Sequence, residues 1–167
     1  MKTFCLISIV AVFLLLYTNG LQAQTTHTKL DQVELLKQFL GTWKYELAKD
    51  TTIISEFTPF GTAIEDNYQI VTKGKILDSG NELLGYDKNS DRIITARLSK
   101  SSPDIEIMSW CWTSKNIFEG VRFQDITNPQ NATFIMKIEF KSPDLFVMMF
   151  TQNNKVVASY TYTREKK

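Results

Sequence analysis

Histidine is nearly absent from this chain. His27 is the single one, and it lies before the region where any regular pattern begins. With no imidazole in the patterned part, a Ser-His-Asp or Cys-His nucleophile system has no base there. A zinc site built from His and Cys lacks its ligands for the same reason. Cysteine is equally scarce. Cys5 falls in the apolar N-terminal run and Cys111 stands alone between Trp110 and Trp112. No internal disulfide is expected, and Cys111 reads as a small buried hydrophobe rather than a reactive thiol. The seven glycines are scattered, so no Gly-rich loop cradles a phosphate. Net charge is missing too, at a formal +1 for the whole chain. Nothing favours nucleic acid or an anionic membrane surface. The sequence offers no catalytic residue, metal ligand or cofactor motif.

What is present begins with a targeting pattern. Lys2 precedes the apolar run Leu6 to Tyr17, and Leu21-Gln22-Ala23 follows a polar break. That order is expected of a secretory signal peptide over residues 1–23, cut after Ala23. The run falls short of the roughly 20 apolar residues a spanning helix needs. The expected mature protein is therefore exported, periplasmic or extracellular, without a membrane span. Residues 24–29 read as a polar leader, and residues 30–167 as one domain able to bury its own core.

Leu30, Val33, Leu36 (or Leu35), Phe39 and Leu40 recur at helical spacing, and Gly41 stops the pattern. This short amphipathic helix could serve as a lid, a plug or an external brace. The period then changes to two. Trp43, Tyr45 and Leu47 alternate with Lys44 and Glu46, and about ten short strand-like segments follow up to Arg164. Thr58-Pro59-Phe60-Gly61 reads as a turn, and Lys73 to Asp78 as a bent continuation of the strand before it. Asp87 to Asp91, Thr113-Ser114-Lys115 and Asn153-Asn154 read as further turns. Strands at that rhythm imply an all-β, antiparallel up-and-down sheet, which can stay open or close to remove its edges.

A helix feeding Gly41-Thr42-Trp43 at the first strand resembles the entry of lipocalin-like (calycin) β-barrels. Leu84-Gly85-Tyr86-Asp87 with its polar turn and Arg92-Ile93-Ile94 is similar to a hairpin of exported bacterial lipocalin-like proteins of unassigned function. The ending Tyr160-Thr161-Tyr162-Thr163-Arg164 fits as well. The resemblance implies that Arg164 stacks on Trp43 to close the barrel floor, a cation–π contact of about 0.5–2 kcal/mol. It also implies that the sheet closes into an up-and-down β-barrel of about 8–10 strands, and that the barrel is a container. The strand count exceeds the eight of a typical lipocalin. The ten-stranded fatty-acid-binding form carries a helical pair after its first strand that is missing here.

Within that container, Met108, Trp110 and Trp112 share a face with Glu106, and Phe118, Gly120, Arg122 and Gln124 share the next. Paired, they form an aromatic wall with one arginine, suited to an apolar ligand carrying a carboxylate or another polar head that the arginine can hold. Tyr45, Tyr68, Trp110, Trp112, Phe118 and Arg122 are the expected lining for a small hydrophobic or amphipathic ligand. Two other readings compete. Small barrels are often filled by their own side chains, which would leave polar turns such as Asp87 to Asp91 and Thr113 to Asn116 to bind or inhibit a protein partner. Carboxylates could also catalyse an isomerisation or hydrolysis. Asp66 is in phase with Ile64 and Tyr68, but with nothing paired to it in sequence it reads as a partly exposed acid near a rim.

Overall fold

The computed structural model describes residues 29–166. The expected signal peptide over 1–23, most of the expected 24–29 leader, Cys5 and His27 lie outside the described residues. Asp31 opens the helix α1 (Gln32–Leu36) by accepting hydrogen bonds from the backbone N–H groups of Val33 and Glu34, at 3.1 and 2.9 Å. Those are the orphan donors that an N-cap side chain satisfies. A five-residue helix has no stability of its own in water. It is held by burial of Leu36 and, in the 3₁₀ turn Lys37–Phe39 that continues it, of Phe39.

Ten strands follow: β1 (Gly41–Ala48), β2 (Thr51–Phe60), β3 (Ala63–Thr72), β4 (Lys75–Asp87), β5 (Arg92–Ser99), β6 (Ser102–Ser114), β7 (Ile117–Arg122), β8 (Phe134–Ser142), β9 (Leu145–Gln152) and β10 (Lys155–Arg164). Each pairs antiparallel with its sequence neighbour, and β10 returns to β1, so the sheet is a closed ten-stranded barrel with no free edge. The count is settled at ten, with the helix before the first strand and no helical pair after it.

Several local expectations change. Thr113 and Ser114 belong to β6, so that turn sits at Lys115-Asn116. Thr58, Pro59 and Phe60 belong to β2, Pro59 pairs with Ile64, and the turn sits at Gly61-Thr62. Lys73 and Gly74, both at positive φ, form a hairpin turn, so Lys75 to Asp78 begins β4 and does not extend β3. β7 stops at Arg122, and Phe123–Asp125 winds into a 3₁₀ turn, which takes Gln124 out of the sheet.

One barrel end is plugged. Phe39 reaches in from the helix and meets Phe57, Trp112, Phe118, Phe140 and Phe146, with ring centroids 5.1–6.0 Å apart. Burying such a ring is worth about 1.5–3 kcal/mol. Gln32 fastens the helix to β6 by two hydrogen bonds with the Trp112 backbone, and Gln38 donates to the Lys115 carbonyl.

Trp43 is fully buried and pairs in register with Arg164 across the β1–β10 seam. The guanidinium carbon stands 4.2 Å from the indole centroid. The same guanidinium donates to the carbonyls of Gln38, Leu40 and Pro143, while Trp43 Nε1 donates to Phe39 O at 2.6 Å. The carbonyls left over where the helix ends therefore find partners. Gly41 makes this possible. Its φ is +116°, and a Cβ there would lie 2.8 Å from Arg164 Nη1.

Candidate functional site

Above the plug the barrel encloses a cavity of about 210 Å³. At roughly 30 Å³ per water that is room for about seven. Its two sides differ in chemistry. Met108, Trp110, Met136, Met148, Phe150 and Tyr160 supply an apolar wall, with Phe39 and Phe146 at the base. The opposite wall carries Ser55, Asp66, Tyr68, Glu82, Arg97 and Glu106.

The polar side chains form a belt set by strand register. Asp66 on β3 lies opposite Glu82 on β4, Glu82 opposite Arg97 on β5, and Arg97 opposite Glu106 on β6. An acid directly across from an acid is an unfavourable pairing in a sheet. The one nearby cation does not cancel it. The Arg97 guanidinium carbon sits 4.1 Å from the Tyr68 ring centroid, and among the described residues no ion pair joins it to a carboxylate within 4.0 Å.

Asp66 is the least satisfied member. It is only 5% exposed, and its Oδ1 is buried without a hydrogen-bond partner. The expectation of a rim acid is corrected here: the period-two phase with Ile64 and Tyr68 carries it inward. Desolvation, reinforced by Glu82, pushes its carboxyl up to about 7, against the weaker opposing pull of Ser55 and Arg97. Burial also raises half-buried Glu82, opposed by Thr95 and Arg97. Burial works against the charge on Arg97, but Glu82, Tyr68 and Glu106 hold it above its ordinary value. Burial raises the Tyr162 phenol as well.

Of the expected lining, Tyr68 and Trp110 face the cavity. Trp110 is stacked on Phe118 at 4.9 Å and hydrogen-bonds Thr95 through Nε1 at 3.2 Å. It lies so close over Gly120 that a Cβ there would be 2.4 Å from its ring. Trp112 and Phe118 belong to the plug, below the cavity. Tyr45 packs on Tyr160 and Tyr162 across the seam, at 4.7 and 5.3 Å, and is absent from the cavity wall.

Arg122 is exposed over Phe134, its guanidinium carbon 5.0 Å from the ring centroid. With Asp78, Asp104 and Ser101 it borders an open depression that shares Tyr68, Arg97 and Glu106 with the cavity and so forms its mouth. The inward arginine is Arg97. Ser55, Glu82 and Arg97 went unrecognised, although Glu82 is two residues from buried Leu84 and Arg97 two from buried Thr95.

Among the described residues, no group of three or more His, Cys, Asp or Glu side chains is arranged to hold a metal ion, and no helix is long and apolar enough to cross a membrane. Cys111, between two inward tryptophans, is half-buried with its thiol raised by burial, the opposite of activation. No family model and no curated protein matches the chain. The closed antiparallel barrel with its helix-fed first strand is compatible with a lipocalin-like fold.

Proposed function

We propose that this protein is an exported container, a lipocalin-like barrel that holds one small hydrophobic or amphipathic molecule in its interior and does no chemistry on it. The observation that carries the reading is the two-sided cavity, with an aromatic and Met wall facing a belt of polar groups whose buried acceptor, Asp66 Oδ1, has no partner. A buried polar group left open costs free energy that a ligand can return. Met108, Met136 and Met148 give the apolar side an adaptable surface. A barrel with a solid interior would have needed none of this, and the protein-contact reading loses its main support.

The cavity limits the ligand. An engineered cavity of about 150 Å³ accommodates benzene, so this one suits a ring with a short arm and is too small for a long acyl chain. Native mass spectrometry of protein purified from its own source is the test, and a non-covalent adduct of small mass is expected. An empty protein that also fails to take up neutral arenes such as indole would overturn the container.

Asp66 favours a second reading. A carboxyl titrating near neutrality inside a cavity suits proton transfer to or from a bound substrate. If the retained molecule is converted on standing, and conversion stops in Asp66→Asn, the protein is an enzyme.

A further inference from the structure

We infer that the ligand of this cavity is a compact organic cation, an aryl- or alkylamine whose ammonium lies against the Asp66–Glu82–Glu106 side and whose apolar body fills the Trp110–Met148 side. The inference rests on the container reading and deepens it.

Charge balance comes first. The wall presents three carboxylates to one guanidinium, and that guanidinium is laid on the Tyr68 ring. Acids outnumber the base on this wall three to one. A carboxylate ligand would meet like charge from Asp66, Glu82 and Glu106 together. A neutral ligand could satisfy Asp66 Oδ1 but would leave the Asp66–Glu82 repulsion in place. An ammonium does both, since it donates up to three hydrogen bonds and neutralises the acid pair.

The aromatic surroundings suit the same class. Trp110, Tyr68, Tyr160 and Phe150 line the space, and ring faces attract a desolvated cation. The mouth sets Asp78, Asp104 and Glu106 against Arg97 and Arg122, three acids to two arginines, and so keeps the acidic excess of the wall. Asp78 is held ionised by hydrogen bonds from the Ser99 and Ser101 hydroxyls, both 2.8 Å. An inorganic cation is disfavoured, because the acids are not arranged as a metal site and half of the cavity is apolar.

Binding should then depend on pH with a definite sign. The groups facing Asp66 are Ser55 from β2, Tyr68 from its own strand, Glu82 from β4, Arg97 from β5, Glu106 from β6 and Tyr162 from β10. A cation binds the ionised carboxylate, so protons compete with it. Its affinity rises with pH up to and through about 7. An anionic ligand would show the reverse slope.

Three probes of near-equal size separate the possibilities: 2-phenylethylamine, 2-phenylethanol and phenylacetate. Each is titrated into the purified protein at about pH 6 and about pH 8, with the Trp110 indole N–H followed by NMR. The amine is expected to bind at least about tenfold more tightly than the alcohol at the higher pH, a difference of about one decade in Kd. It should weaken at the lower pH while the alcohol does not change. Asp66→Asn should lower amine affinity about tenfold, reduce its pH dependence and leave the alcohol unaffected, and Glu82→Gln should act in the same direction. Equal binding of amine and alcohol overturns the cation while leaving the container intact. Tightest binding of phenylacetate overturns it in favour of Arg97 as the head-group holder. Amine binding untouched by both substitutions places the cation elsewhere and overturns the site. No response to any of the three removes the container and the cation together.

Discussion

The two ends of this barrel solve opposite problems with one sheet. At the plugged end, polar groups are matched almost completely. Arg164 serves three carbonyls, Trp43 Nε1 serves a fourth and Gln32 clamps the Trp112 backbone. The one unmatched atom there, Trp112 Nε1, is enclosed by rings. Toward the open end the same strands place an acid across from an acid and leave a buried carboxylate oxygen unpaired. The first arrangement lowers the energy of the empty protein. The second raises it, a cost that the ligand proposed above would return. On the container reading, stability and function are separated along the barrel axis, and substitutions at the two ends should move stability in opposite directions.

The largest effect is expected at the plug. Phe140→Ala removes a ring in contact with Phe39, Trp43, Trp112 and Phe146; Phe140 does not itself line the cavity, although Phe39 and Phe146 form its base. It should cost about 3–5 kcal/mol in urea unfolding, as large-to-small changes in packed aromatic cores do, with probe affinity unchanged in the folded fraction. At the belt, Asp66→Asn should stabilise the empty protein. An acid whose folded pKa is raised binds more protons folded than unfolded between 3.8 and about 7. Its presence therefore makes stability decline as pH rises through that window and stay low above it. At about 1.36 kcal/mol per pKa unit, the substitution should add about 2–4 kcal/mol at pH 8 and almost nothing at pH 4. A Tm for Asp66→Asn that matches the wild type at both pH values would break the comparison.

Much of the plugged end was readable from residue order, because its signals are local. The 3.6-period run up to Leu40, the Gly41 stop and the switch to alternation at Trp43 all lie within a few residues of one another. The Trp43–Arg164 contact came by way of the family resemblance, and the register bears it out. The belt was not readable in the same way. Alternation puts Asp66, Glu82, Arg97 and Glu106 on inner faces one strand at a time, but charged residues in strands are usually exposed. Only register places these four side by side, and register here depends on turn positions. Reading Lys73 to Asp78 as part of the preceding strand hid the hairpin at Lys73-Gly74 that sets Asp66 opposite Glu82. Arg122 misled for a related reason. Its phase was right, opposite Met108, but it is the last residue of β7 and reaches the mouth, not the interior.

The plug can be tested more finely through Arg164. Arg164→Lys keeps the charge and loses the planar fork that reaches the carbonyls of Gln38, Leu40 and Pro143 together. Hydrogen bonds to charged groups contribute about 1.5–3 kcal/mol, and a loss in that range is expected, with faster amide exchange in α1 than in the strands.

The smallest effect is expected beside it, on the solvent side of the same seam. Lys44 Nζ lies 2.6 Å from Glu165 Oε1, but both side chains are well exposed. Such a pair contributes about 0–1 kcal/mol because water screens it and two flexible chains must be ordered to form it. The inner side of the seam has the packed rings of Tyr45, Tyr160 and Tyr162 and the Trp43–Arg164 contact in its place. If those close the barrel, Lys44→Met should change stability by less than about 1 kcal/mol, an effect that shrinks further in high salt. A larger, salt-sensitive loss would mean that the seam is shut from outside by charge, and that the separation between a stabilising plug and a functional belt does not extend to the line where the sheet meets itself.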